Sequence, residues 1–336
     1  MPSGFTARIE RWSLARPFRI SRGVRTEAEV VVVEARVGDK VGRGEGVPLA
    51  RYGETPETVL EQLVLLAQQD PAHLPRAHLL KLLPEGAARN AVDCALWDLE
   101  AQITGRSVAQ IIGEPVRESL PTAVTVSIDT PENMAAAARD VAGASLLKIK
   151  VDGRQPRAAI EAVAAAAPNA QLIIDANESW TIDLLRELQP FLARLNIAFV
   201  EQPLPAASDA ALAGFKPLVP LCADESVHTS EDLPQVAARY QVVNIKLDKT
   251  GGLTEALRLR AAARERKLGI LVGCMVCTSL SIAPALHIAA GADYADLDGP
   301  WWLSKDRDRG VGIEAGVLTV KSPFLWGSGA GPGGAG

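Results

Sequence analysis

Apolar runs of strand length and amphipathic stretches of helix length take turns along most of this chain. From about residue 119 the runs fall at 122–128, 145–151, 171–175, 197–201, 218–224, 241–247, 269–275 and 292–297. Helix-like stretches at 131–142, 156–166, 180–194, 230–239, 254–267 and 279–290 separate them, and 206–214 carries the weakest helical pattern. Thr130-Pro131-Glu132 supplies an N-cap and a proline for a first helical turn. Eight short strands alternating with helices predict a parallel (β/α) barrel. No Gly-x-Gly-x-x-Gly follows the first strand of the repeat, so the usual mark of an open dinucleotide-binding sheet is missing.

The first part of the chain has another pattern. Residues 6–18 and 28–48 read as strands, with a strongly β-branched Val30–Val37 and a hairpin turn at Gly38-Asp39. The polar stretch Arg19–Glu27 between them reads as a loop. Residues 56–113 read as mostly helical, most clearly Ala87–Gln102 with Val92, Ala95, Leu96 and Leu99 at helical spacing. An α+β unit therefore precedes the barrel. The last residues, Gly327–Gly336, are nearly all Gly, Ala, Ser and Pro and read as a disordered tail.

Composition narrows the class. A 48% hydrophobic, 22% charged chain of 336 residues is an ordinary globular protein. A net charge of −5 gives no reason to expect nucleic acid or an anionic membrane as partner. The first ten residues lack a signal-peptide core, and no apolar run is long enough to span a bilayer. Four cysteines in so long a chain make no disulfide framework, which predicts a reducing, cytoplasmic setting.

The chemistry concentrates at the predicted strand ends. Asp175, Glu201 and Asp224 close three consecutive apolar runs. In a parallel barrel all such ends converge on one face. Two bare carboxylates about 4 Å apart repel by roughly 4 kcal/mol at an effective dielectric near 20, so three together call for a cation. An oxygen-only set suits a hard ion such as Mg²⁺. Lysines flank the set. Lys148 and Lys150 share one face of their strand, and Lys246 lies on the run after Asp224. An unperturbed lysine is neutral only about 0.04% of the time at pH 7. A working base needs neighbours that lower its pKa, and Lys148 together with a metal ion would do that for Lys150. Lys150 and Lys246 would face each other across the barrel mouth, one on either side of a substrate carbon.

Other features weigh less. Asp296 and Asp298 share a face at the end of the last strand, where paired acceptors suit a substrate ammonium. Cys274-Met-Val-Cys277 lacks further ligands or a thioredoxin-like context and reads as small side chains around a strand end. Lys249-Thr250-Gly251-Gly252 lacks the rest of a P-loop and reads as a turn into the next helix. The four histidines, 73, 78, 228 and 287, form no ligand spacing.

The ordered set Lys148-Ile-Lys150, Asp175-Ala-Asn177, Glu201-Gln-Pro203, Ala223-Asp-Glu-Ser226 and Asn244-Ile-Lys246 followed by Gly251-Gly252 resembles the muconate lactonizing subgroup of the enolase superfamily. That superfamily uses a Lys or His base with Mg²⁺. The resemblance covers nearly the whole chain except the tail. It implies an α+β capping domain over 1–115, completed by 310–326, and a modified (β/α)7β barrel of the TIM type over 116–309, with the tail at 327–336. It implies one Mg²⁺ per subunit on Asp175, Glu201 and Asp224, Lys150 and Lys246 as the acid/base pair, and Lys148 as an electrostatic helper. Asp296-x-Asp298 resembles the pair that holds the substrate α-ammonium in dipeptide epimerases, which move the α-proton of the C-terminal residue through an enediolate. Arg22, Arg25, Tyr52 and Cys277 are placed by the same resemblance around the substrate, Cys277 standing where relatives often have Glu. An o-succinylbenzoate synthase or a muconate-type cycloisomerase would share metal and lysines but has no ammonium to bind. A catalytically silent ligand-binding barrel would not need both facing lysines together with the full acid triad. Barrels of this kind often associate, so a homo-oligomer belongs to the expectation.

Overall fold

The computed structural model describes residues 3–20, 23–66, 68–321 and 324–329. Three antiparallel strands open the chain: β1 (Gly4–Ile20), β2 (Gly23–Val37) and β3 (Lys40–Gly46), with the turn at Gly38-Asp39. The stretch Arg19–Glu27, expected as a loop, is instead mostly strand. Phe18 pairs with Arg25, Arg19 with Val24 and Ile20 with Gly23. Its polar side chains hid it, because backbone pairing in a projecting hairpin needs no buried face. A register shift between Ser13 and Phe18 marks where the hairpin leaves the sheet.

The helix Ala87–Thr104 lies across this sheet and is buried along nearly its whole length. It fits because β3 offers glycine at every second position. Gly42, Gly44 and Gly46 meet the backbone at Ala95, Ala91 and Ala87, so closely that a Cβ at any of them would overlap a carbonyl oxygen.

The barrel strands are β5 (Val124–Val126), β6 (Leu146–Lys150), β7 (Gln171–Asp175), β8 (Ile197–Glu201), β9 (Leu221–Ala223), β10 (Val242–Ile245), β11 (Gly269–Gly273) and β12 (Tyr294–Asp296), preceded by β4 (Ser119–Pro121). All neighbours from β5 to β12 pair in parallel and in chain order. The two edges meet where Ala123 N donates to Ala295 O (2.8 Å) and Leu297 N to Thr122 Oγ1 (2.8 Å). Seven crossovers join eight strands. The fourth, the weak stretch 206–214, is only a 3-10 turn at Ala206–Leu212. β13 (Gly312–Glu314) and β14 (Val317–Thr319) form a hairpin on β4. The chain then reaches β3, where Trp326 Nε1 donates to Arg43 O (2.8 Å). Of the tail expected from Gly327, that first residue is held by Asp98 Oδ1 (2.8 Å), and residues from 330 on lie outside the described part.

Candidate active site

Every acid and lysine singled out in the barrel stands at or just past the C-terminal end of a strand, except Lys148 in the middle of β6. Lys150, Asp175 and Glu201 sit in one register row across β6, β7 and β8. Asp224 follows β9. Lys246 follows β10 and is the N-cap of a one-turn helix, Leu247–Thr250, rather than a strand residue. Asp296 ends β12, and Asp298 begins the turn after it instead of sharing the strand.

These groups interlock. Lys148 Nζ lies 2.9 Å from Asp175 Oδ2, 3.0 Å from Glu201 Oε1 and 2.8 Å from Asp296 Oδ2. Lys150 Nζ donates to Asp175 Oδ2 (2.6 Å) and Asn177 Oδ1 (3.1 Å). Lys246 Nζ donates to Asp224 Oδ2 (2.6 Å), and Lys249 Nζ to Asp224 Oδ1 (2.6 Å). Among the described residues the carboxylates do not close into a ligand cluster by themselves, because ammonium groups stand between them.

Two strained positions hold the row in place. Asn177 (φ 42°) and Gln202 (φ 33°) adopt left-handed backbone, at a cost of order 1–3 kcal/mol each. Asn177 N donates to Asp175 Oδ1 (2.9 Å). Gln202 Oε1 accepts from the backbone N–H groups of Asp224 (2.9 Å) and Ser226 (3.1 Å), while its amide nitrogen, with two protons to donate, lies within hydrogen-bond distance of Leu204 O, Ser226 Oγ and Tyr240 OH. Asn244 Nδ2 donates to Glu201 Oε1 (2.8 Å). Asn177, Gln202, Asn244 and Lys249 received no role from the sequence. The signal was available: each lies within a few residues of a candidate acid or base.

Burial and charge set the protonation states. Burial works against the Asp175 carboxylate, yet Lys148 and Lys150 hold its pKa below the usual range. Asp224 is held well below by Lys246 and Lys249, again against burial. Glu201 goes the other way, to about 7, through burial and then the Asp175 charge. Its Oε2 lies 2.9 Å from Lys148 Nζ but accepts no hydrogen bond. An all-oxygen donor set with one member short of positive charge fits a divalent cation; Asp175, Glu201 and Asp224 would hold it.

The acidic pair is buried too. Asp298 Oδ2 accepts from Thr125 N (2.8 Å) and Trp302 Nε1 (3.3 Å). Burial and Asp296 raise Asp298 to about 6. Asp296 Oδ1 is buried and has no hydrogen-bond partner among the described residues. Both aspartates line a cavity of about 420 Å³ together with Lys148, Lys150 and Lys246. Phe18, Val24 and Arg25 from the hairpin and Tyr52 from the capping side cover it. Cys277 does not reach it: the side chain is fully buried behind Gly299, and Cys274 takes the lining position. The strand end turns at that point, so the first cysteine of the pair faces the mouth and the second faces the core. Arg22 lies outside the described residues.

Residues 4–113 match the mandelate racemase/muconate lactonizing enzyme N-terminal domain, and residues 132–331 the enolase C-terminal domain-like family. The chain belongs to the enolase superfamily, in the group of mandelate racemase and muconate lactonizing enzyme. Among its relatives is the L-Ala-D/L-Glu epimerase of Escherichia coli (strain K12), 47% identical over 92% of this chain and 97% of the relative. Another is an N-acetyl-D-glutamate racemase from a Pseudoalteromonas species, 44% identical over 89% and 95%. An enolase family member from Agrobacterium tumefaciens with homology to dipeptide epimerases, solved with sodium and L-Ala-L-Glu, superposes with a TM-score of 0.94 at 48% identity, covering 97% of this chain and all of that one. A dipeptide epimerase from Methylococcus capsulatus, solved with Mg and L-Arg-D-Lys, gives 0.86 at 33% identity over 96% and 98%.

Proposed function

We propose that this chain is a Mg²⁺-dependent dipeptide epimerase that inverts the α-carbon of the C-terminal residue by 1,1-proton transfer. The observation that carries it is one cavity lined by both lysines and by the acidic pair Asp296 and Asp298. A substrate ammonium suits that acidic pair; a cycloisomerase or o-succinylbenzoate synthase substrate has none to offer. Similarity to epimerases along nearly the full chain supports the same reading.

When bound, the cation supplies positive charge that stabilises the second negative charge appearing on the substrate carboxylate as the α-proton leaves. Lys150 and Lys246 serve the two faces of that carbon. The neutral amine of one takes the proton, and the ammonium of the other delivers one from the opposite side. Asp296 and Asp298 hold the α-ammonium and fix the register of the substrate. Lys148, buried among Asp175, Glu201 and Asp296, balances their charge and keeps all three in place. Tyr52 and Arg25 face the side chain of the reacting residue, and Arg22 belongs to the same proposed set. A cytoplasmic location and a homo-oligomer complete the reading. Four free cysteines favour the first, and no helix of the described residues is long and apolar enough to cross a membrane.

The test is a library of L,L-dipeptides in D₂O with Mg²⁺, followed by NMR. Deuterium at the C-terminal α-carbon with inversion is expected; its absence across the library, with o-succinylbenzoate formed from its precursor, sinks the reading. A second reading, racemisation of an N-acylated amino acid, is favoured by the relative named for that activity. D298N separates the two. Losing one hydrogen bond to a charged group costs about 1.5–3 kcal/mol, so dipeptide kcat/KM falls roughly 10- to 150-fold while N-acetyl-glutamate turnover changes much less.

A further inference from the structure

Lys249 is among the most deeply buried lysines of the molecule, with 2% of its surface exposed. Its ammonium has three protons and meets three acceptors: Asp224 Oδ1 (2.6 Å), the Asp224 backbone oxygen in a close contact, and Asn244 O (3.1 Å). All its donors are occupied, so it has none for a substrate. It lies where the sheet stops. β9 and β10 pair only through Cys222–Val242 and Ala223–Val243. Beyond that row one ammonium ties the two strand ends together, at the residue that carries a ligand candidate.

The turn that carries Lys249 is fixed from behind by the capping domain. Arg89 Nη2 donates to Thr250 O (2.9 Å) and its Nε to Gly251 O (3.2 Å). Asn90 Nδ2 and Val47 N donate to Asp248 Oδ1 (2.7 and 2.8 Å). Asp248 therefore points to the cap and Lys249 to Asp224. The Asp224 carboxylate is shared: Lys249 holds Oδ1 and Lys246 holds Oδ2. Under the proposed function Lys246 must turn to the substrate carbon. Lys249 is then the group that keeps the carboxylate from rotating.

Resting on that functional reading, we propose that Lys249 is a positioning residue. It fixes Asp224 so that Oδ2 is presented to Mg²⁺ and Lys246 is released to the substrate. Charge alone predicts the opposite effect on the metal, since removing a nearby cation should tighten Mg²⁺ binding. The two accounts therefore differ in sign.

The experiment uses the full chain, stripped with EDTA, and titrates Mg²⁺ by calorimetry without substrate. In K249M the Mg²⁺ Kd should rise at least tenfold. At saturating Mg²⁺ its kcat should fall at least tenfold, with dipeptide KM within threefold of wild type. K249Q, which keeps two donors on a shorter stem, should fall between. Unchanged or tighter Mg²⁺ binding in a variant that keeps the wild-type circular dichroism overturns the proposal. So does failure of both variants to fold, which would make Lys249 a residue of the fold only. Because the titration needs no substrate, absence of dipeptide turnover in the wild type sinks the functional reading alone.

Discussion

Lys246 and Asp224 form a buried ion pair, Nζ to Oδ2 at 2.6 Å, and Lys150 stands in the same relation to Asp175 on the other side of the site. Each proposed base is thus held by a proposed metal ligand. K150A and K246A should each lose epimerisation by about 10²- to 10⁴-fold, the usual contribution of a positioned acid or base. Each should still exchange the α-proton of one stereoisomer, with retention. Proton NMR in D₂O on the two separate isomers checks this; exchange of both isomers by either variant contradicts the two-face arrangement.

Glu201 links metal binding to pH. Its carboxyl sits near 7 because it is buried beside Asp175, so below that pH it carries a proton that a cation must displace. Mg²⁺ affinity should fall as pH drops below about 7, by up to about tenfold per unit, and level off above. Calorimetry in two buffers of different ionisation enthalpy should detect proton release at pH 6 that fades by pH 8. E201Q should bind Mg²⁺ weakly and without that pH dependence.

Asp248 makes stability depend on pH in the unusual direction for an acid. Burial raises it to about 7 against an ordinary value of 3.8. The folded state therefore binds more protons than the unfolded one between those values, and stability falls as pH rises from about 4 to 7. Asp248 Oδ1 takes both hydrogen bonds, from Val47 and Asn90, so an amide can keep them. D248N should melt at a higher temperature than wild type at pH 7, and the gap should close toward pH 4. Thermal melts of both proteins across that range decide it.

Gly44 sets how closely the capping sheet and its helix approach. A methyl group there meets the Ala91 carbonyl, and the backbone on both sides cannot yield. G44A should cost about 1–3 kcal/mol or more, as overpacking does. A lowered urea midpoint with an unchanged slope is the expected result; an unaltered midpoint would mean that the helix can slide.

The alternation of apolar runs with helical stretches was enough to specify the parallel barrel, because strands covered on both faces must be apolar throughout and must be joined by crossovers. It also placed Asp175, Glu201, Lys148 and Lys150 on one face, since side-chain direction in a strand follows position alone. What lies past the strand ends was less legible. Lys246 and Asp298 read as strand residues, but the chain had already turned there. The Arg19–Val24 pairing was hidden because it is between backbone groups, and few of the described side chains around it are buried in a core. Cys277 was assigned to the pocket and Cys274 was not, although the turn of the strand end exchanges them.

The sequence by itself determined the architecture and the inventory of acids and bases, because hydrophobic periodicity and strand order are local properties of the chain. Only the tertiary structure decided which ammonium holds which carboxylate oxygen, and that Lys249 takes part at all. Those pairings depend on distances between strand ends far apart in sequence, set by the packing of cap against barrel.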